Sequence, residues 1–393
     1  MSYNKTGGAG IAAYRLHKSL NKYYYNQIES HWLDYETLIF NPSNIIKRIT
    51  QKLKIELLYL KQKHLQYKLD TDEFSSLSGI LNTVGKDYDI INLHWVAGFI
   101  NYPKFFKTKI PIVWTLHDMN PFLGGFHYLL EEKDKLKNKK LIKFNKKILK
   151  KKINIINKSS IKKIICPSQW IANHSMNSLC FKHLNLSVIH NPIDPEIFNN
   201  YENSLAKKVF QLPLEIPTIL FVASNINSNR KGLKTLLNAL KLVSSEFQIL
   251  LLGQNNYQEL INDKRVFSTG FISDERLLSL AYSASELVVI PSTEDNLPNT
   301  MLEALSCGKP IISNNNGGMN EIIINDFNGY ILIDNDHMEL AKTIDHVISN
   351  LNKFNNTEIR NNAIALFNEK KIASEYLASY QSILLHDTKR LTT

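Results

Sequence analysis

The sequence predicts an α/β protein of two doubly wound domains, each built on a parallel sheet. Three observations lead there. From residue 161 onward, short apolar runs alternate with helical patterns of roughly ten residues, the grammar of strand–helix–strand units. The runs end in loops rich in Gly, Asn, Asp and His, where open α/β sheets hold their ligands. The chain is 393 residues long and 44% apolar, enough for about two to three domains with ordinary cores.

In chain order, Gly7-Gly8-Ala9-Gly10 reads as a glycine turn opening a helix. Only Met1 to Thr6 precede it, so the N-terminal domain is expected to lack its first strand. Each large apolar side chain that such a loss leaves exposed costs about 1.5 to 3 kcal/mol. Residues 90–95 and 110–116 read as strands, each ending in a loop with a histidine, His94 and His117. Residues 161–166 and 186–189 read as strands around a helix at 169–179. The polar stretch 201–217, closed by Pro213 and Pro217, reads as an interdomain linker. Strands at 218–223, 247–253, 266–271 and 287–290 then alternate with helices at 233–243 and 274–284. A last helix at 371–385 is expected to cross back onto the first domain. The expected domains are therefore 1–200, 201–370 and a returning segment 371–393.

The formal charge of +11 is concentrated: residues 133–163 hold fourteen lysines, with Leu141, Phe144, Ile148, Leu149 and Ile156 interleaved near the spacing of one helix face. This reads as a basic amphipathic helix suited to an anionic membrane surface. No nucleic-acid motif or stacking platform accompanies the charge, so nucleic acid is not an expected partner. No run of eighteen apolar residues and no secretory pattern occurs, which places the chain in the cytoplasm or peripherally at the inner membrane face. Cys166, Cys180 and Cys307 match no metal spacing and read as buried thiols.

The most telling stretch runs from Pro291 to Pro310 and reads strand, acidic loop, helix, strand. Pro298 suits the first helical turn and Gly308 the position after the last. The free N–H groups of that helix end favour a phosphate. Asp295 in the loop and Glu303 about one turn inside the helix add two carboxylates, a combination suited to sugar or ribose hydroxyls beside a phosphate.

This stretch resembles the signature of glycosyltransferase family 4, in which two acidic residues separated by seven positions flank a loop and helix start; Asp295 and Glu303 have that separation. The family's first acid is usually Glu, so Asp295 departs from the pattern, and Glu294 fills the role with a one-residue slip. The segments Asp89 to Trp95, Pro111 to Pro121 and Gly124 to Tyr128 are similar to a bacterial polysaccharide-assembly branch. The resemblance implies a GT-B fold, with two Rossmann-like domains facing a cleft. It further implies retaining transfer of a sugar from a nucleotide-sugar donor to a growing glycan or a lipid-linked acceptor.

By the same resemblance His117 lies at the reaction centre, with His94 and His127 as weaker candidates. Asp295 or Glu294 would hold the donor sugar and Glu303 the ribose. Arg230 and Lys231 would hold the diphosphate, with Gly8, Asn299, Thr300, Gly317 and Gly318 as further donor contacts. No metal and no cofactor is implied, since the nucleotide-sugar is a substrate. Two alternatives stay open: a nucleotide-sugar epimerase of similar fold, and an inactive nucleotide-sugar-binding scaffold.

Overall fold

The computed structural model describes residues 1, 5, 7–33, 88–98, 100–130, 139–226, 228–254 and 263–391. The chain divides into two compact units, Met1–Ile189 with Ala373–Thr393, and His190–Ile372.

The first unit carries four parallel strands in the order β1 (Ile91–Leu93), β2 (Ile112–Thr115), β3 (Ile161–Cys166) and β4 (Asn185–Val188). All four residues of β2 are buried, as expected for a parallel strand covered on both faces. Trp114 at its centre is fully buried in an aromatic cluster with Tyr102, Phe106 and Phe181. The glycine turn opens helix α1 (Gly8–Tyr24), and a Cβ added at Gly8 would meet nothing within 4 Å.

Among the described residues, Met1 stands at the outer edge of β1. The Met1 amine donates to the Asn92 carbonyl at 2.6 Å, and the Met1 carbonyl accepts from the His94 N–H at 2.9 Å. One residue thus satisfies backbone groups on the outer edge of β1 that a neighbouring strand would otherwise meet. The C-terminal helix also joins this unit. Within Glu369–Leu391, Tyr380 accepts from Asn92 Nδ2 at 2.7 Å, the Tyr376 hydroxyl lies 3.3 Å from Thr115 Oγ1, and Ser379 Oγ accepts from Lys163 at 3.1 Å.

The lysine-rich segment forms helix α2 (Lys139–Ile156), while residues 133–138 of the expected element lie outside the described residues. Lys143, Lys146, Lys147, Lys150 and Lys151 are exposed along it. Lys152 does not belong to this exposed face. It is 2% exposed, and its ammonium donates to Asn120 O and Oδ1 at 2.9 Å each and to Gly124 O at 2.8 Å. Four residues apart from Leu141 and Ile156, respectively, Asn145 and Lys152 both occupy the inward stripe. Asn145 Oδ1 accepts from the Gly125 N–H at 2.7 Å.

The second unit carries six parallel strands in the order β10-β9-β8-β5-β6-β7, where β5 is Thr218–Asn225, β6 Gln248–Gln254, β7 Val266–Gly270, β8 Leu287–Ile290, β9 Ile311–Asn314 and β10 Gly329–Leu332. The chain leaves β5 toward β6 on one side, then returns past it so that β8 leads to β9 on the other. The strand order therefore reverses between β5 and β8, the topological switch point at which open α/β sheets form their binding crevice. Helices α3 (Leu233–Leu240), α4 (Glu275–Ser283) and α5 (Asn299–Ser306) fill the connections. Asp274 caps α4 by accepting from the Arg276 and Leu277 N–H groups at 2.9 and 2.8 Å. Pro298 is the N-cap of α5 rather than its first helical residue, and Gly308 takes the left-handed conformation beyond its end at φ +71.

The stretch 201–217 is not a linker. It folds into a helix, Asn203–Val209, inside the second unit, which begins at His190. Lys207 explains why: the ammonium of this buried lysine pairs with Glu286 at 2.9 Å and donates to the Leu214 and Ile216 carbonyls. The two prolines end that segment without marking a domain boundary.

Candidate functional site

In the second unit, Arg230 and Lys231 follow β5 and Asp295 follows β8, so the crevice at the switch point gathers the expected cations and one expected acid. Lys231 Nζ lies 2.6 Å and Arg230 Nη1 3.1 Å from Asp295 Oδ2. Arg230 Nη1 also donates to the Glu294 carbonyl at 2.9 Å, and the Thr293 N–H donates to the Arg230 carbonyl at 2.8 Å, which ties the two loops together. The structure thus brings the Asp295 carboxylate to the cations, whereas Glu294 meets Arg230 through its backbone.

Burial by itself would raise the Asp295 carboxyl, but the Lys231 and Arg230 charges and their hydrogen bonds hold it far below the ordinary carboxylate range. Burial lowers Lys231, the Asp295 charge pulls it back up, and neighbouring Arg230 lowers it again. Asp295 thus lies beside two cations, and cations fixed in this way suit a ligand with negative charge.

Glu303 sits on α5, 3% exposed, and its Oε2 accepts from the Tyr282 hydroxyl of α4 at 2.8 Å. Asn299 and Thr300 occupy the first two positions of the same helix. Gly317 and Gly318 follow β9. Gly317 lies against Asp295 in an isolated parallel bridge at φ +111, and a Cβ there would stand 1.7 Å from the Asp295 carbonyl oxygen. Gly318 N–H donates to the Asn296 carbonyl at 2.8 Å. The segment that follows β9 here is a single 3₁₀ turn, Gly318–Glu321. These two glycines allow two loops to touch, which gives them a structural reason beside any ligand contact.

In the first unit, His117 stands after β2 and His94 after β1. Their rings stack at 5.2 Å between centroids, and His94 Nδ1 lies 3.0 Å from His117 Nε2. Burial takes His117 from the usual 6.5 to about 4, against an opposing pull from the Asp118 charge, and burial likewise carries His94 well below 6.5. Both imidazoles are therefore neutral near pH 7, and of the two facing nitrogens one carries the proton and the other accepts it.

A neutral base of this kind makes a stability prediction. Its folded-state pKa lies below its unfolded one, so stability is full above about pH 6.5 and is lost as the pH falls toward 4. For His117 the loss is on the order of 3 kcal/mol. The midpoint of urea unfolding should fall between pH 7 and pH 5, and His117→Asn should flatten that dependence; equal slopes would place the protonation elsewhere.

Sequence reasoning missed the group that organises this loop. Asp118 Oδ2 accepts from Trp95 Nε1 at 2.8 Å and lies 2.7 Å from His127 Nδ1, while Oδ1 accepts from the Asn120 N–H at 3.0 Å. Burial would raise this carboxyl, but the His127 charge and the bonds from His127, Asn120 and Trp95 bring it below its ordinary value. The adjacency His117-Asp118 was visible in the sequence; the convergence of Trp95 and His127 upon it was not. Tyr282 also carried no signal, since a lone tyrosine within a helix reads as core.

The three cysteines are free and buried, and burial pushes the Cys180 and Cys307 thiols up to about 12. Among the described residues no group of three His, Cys, Asp or Glu could hold a metal ion, and no helix is long and apolar enough to cross a membrane.

Comparison with known proteins speaks to the family and the fold. The family described as Glycosyl transferases group 1 matches residues 216–350, and Glycosyltransferase Family 4 matches residues 59–197. An uncharacterized glycosyltransferase of Methanocaldococcus jannaschii is 24% identical over 80% of this chain and 85% of its own length. The UDP-Gal:alpha-D-GlcNAc-diphosphoundecaprenol alpha-1,3-galactosyltransferase of Escherichia coli is 28% identical over 44% of this chain and 49% of its own. Among solved structures, sucrose-phosphate synthase of Thermosynechococcus elongatus superposes with a TM-score of 0.70 at 20% identity, covering 98% of this chain and 96% of that one. HepE of Anabaena, in complex with UDP and glucose, gives 0.66 at 19% identity, covering 97% and 98%. These likenesses identify the fold as GT-B. With two family matches that together span more than two thirds of its length, the one over residues 216–350 covering Arg230, Lys231, Asp295 and Glu303, the chain belongs to the group 1, family 4 glycosyltransferases.

Proposed function

We propose that this glycosyltransferase is a retaining enzyme that moves a hexose or related sugar from a nucleotide-sugar donor to a growing glycan, or to a lipid-linked acceptor, in cell-surface polysaccharide synthesis. The observation that carries the reading is the convergence of Arg230, Lys231 and Asp295 at the switch point of the six-stranded sheet. When the bond from sugar carbon to diphosphate oxygen breaks, negative charge grows on the leaving diphosphate, and fixed cations in a protected crevice stabilise it. The acceptor hydroxyl forms the new bond on the same face, and its proton passes to the departing phosphate oxygen. Before the bond from sugar to diphosphate breaks, Asp295 holds the donor sugar while its cations take the diphosphate, and Glu303 accepts from ribose hydroxyls. His117, as a neutral imidazole, orients a sugar hydroxyl rather than acting as a strong base.

The UDP complex of HepE supports a uridine nucleotide as the first donor to try, and the name of the Escherichia coli relative supports a lipid-linked acceptor. The exposed lysines of α2, a helix without one acidic residue, support contact with an anionic membrane at about 1 kcal/mol per basic side chain near the surface. The test is a panel of UDP-, GDP- and ADP-sugars, offered with a lipid-linked glycan acceptor in anionic or zwitterionic vesicles. Product mass should report transfer of one sugar with its anomeric configuration retained, and the protein should sediment with the anionic vesicles alone. Nucleotide binding without any transfer would leave the scaffold reading in its place.

A further inference from the structure

Glu303 and Asp295 are both buried carboxylates with named partners. Asp295 lies beside two cations, and Glu303 Oε2 accepts from the Tyr282 hydroxyl at 2.8 Å. Tyr282 itself is wholly buried in the last turn of α4, with its ring edge against Phe198. A phenol serves a particular purpose in such a place. It fixes one carboxylate oxygen in space and brings no charge of its own, and a carboxylate with about four lone-pair sites can accept from more than one donor at once. Without that hydrogen bond, the Oε2 atom loses one of the contacts that fix it on α5.

We infer that Tyr282 is the positioning residue for Glu303, aiming its carboxylate at the vicinal hydroxyls of the donor's ribose and so setting the preference of the site for ribonucleotides. The inference rests on the proposed role of Glu303. It adds a residue on a different helix, twenty-one positions earlier in the chain, to the donor site. A bidentate grip on a vicinal diol needs both carboxylate oxygens oriented within a few tenths of an ångström, and preorganisation of that kind comes from supporting side chains rather than from the ligand-touching group alone. Tyr282 touches no ligand in this account. Its effect should therefore appear only when the ligand carries the hydroxyls that Glu303 receives.

The test compares UDP with 2′,3′-dideoxy-UDP by calorimetry on the full chain, using wild type, Tyr282→Phe and Glu303→Ala. Tyr282→Phe keeps the ring and its packing and removes a single oxygen, and its melting transition serves as the control for fold. The variant should bind UDP about tenfold more weakly than wild type and bind dideoxy-UDP equally well. A purely structural role would weaken both ligands alike and would overturn the inference. If Tyr282→Phe binds UDP like wild type while Glu303→Ala does not, the inference falls and the site stands. If neither substitution changes UDP binding, the assignment of Glu303 falls and takes the inference with it.

Discussion

Lys231→Ala should lower turnover in the transfer assay by about two to three orders of magnitude, the usual loss when one fixed group that stabilises a developing anion is removed. The reason lies in its position. Lys231 follows β5 at the point where the strand order reverses, and its half-buried ammonium is held 2.6 Å from Asp295. Its removal leaves Asp295 paired with Arg230 alone, and no exposed lysine nearby in sequence can replace a desolvated charge. Lys231→Arg should restore only part of the rate, because a planar guanidinium fills different space from a compact ammonium. The measurement is kcat and kcat/KM for the donor; a loss below about fivefold would remove Lys231 from the reacting site.

Lys152→Met should be the most destabilising change in the lysine-rich helix, at about 3 kcal/mol. The substitution keeps the length of the side chain but strips its hydrogen bonds from two carbonyls and an amide oxygen, those of Asn120 and Gly124. Lys147→Met on the exposed face of α2 should cost less than about 0.5 kcal/mol. Tryptophan fluorescence during urea unfolding separates the two. All four tryptophans, Trp32, Trp95, Trp114 and Trp170, lie in the first unit, so the signal reports that unit alone. Equal midpoints for the two variants would mean that the inward lysine is dispensable.

The contrast between those two lysines shows what sequence can and cannot carry. The alternation of strands and helices in the second unit was legible because each signal is local: Leu287 to Ile290 is an unbroken apolar run, Asp274 precedes the helix it caps, and Gly308 follows the helix it ends. The acidic pair was legible for the same reason, with one short stretch holding both members. What was not legible depends on partners distant in the chain. Lys152 reads as one more lysine until Asn120 and Gly124 are seen to receive it. The stretch 201–217 reads as a linker until Glu286 meets Lys207. The strand reversal that makes the crevice arises from β5 pairing with β8, about seventy residues apart by their positions at Ile219 and Leu287. Even Met1 finds its partners at Asn92 and His94, which no local pattern announces.

The bridge between Gly317 and Asp295 carries a consequence for anyone who would re-engineer this protein. The segments after β8 and β9 are seated backbone to backbone, with no room even for a methyl group, so they form one inseparable piece. A graft that exchanged either segment alone, to import another specificity, would dislodge the carboxylate that the exchange was meant to preserve. Such swaps have to move both segments together.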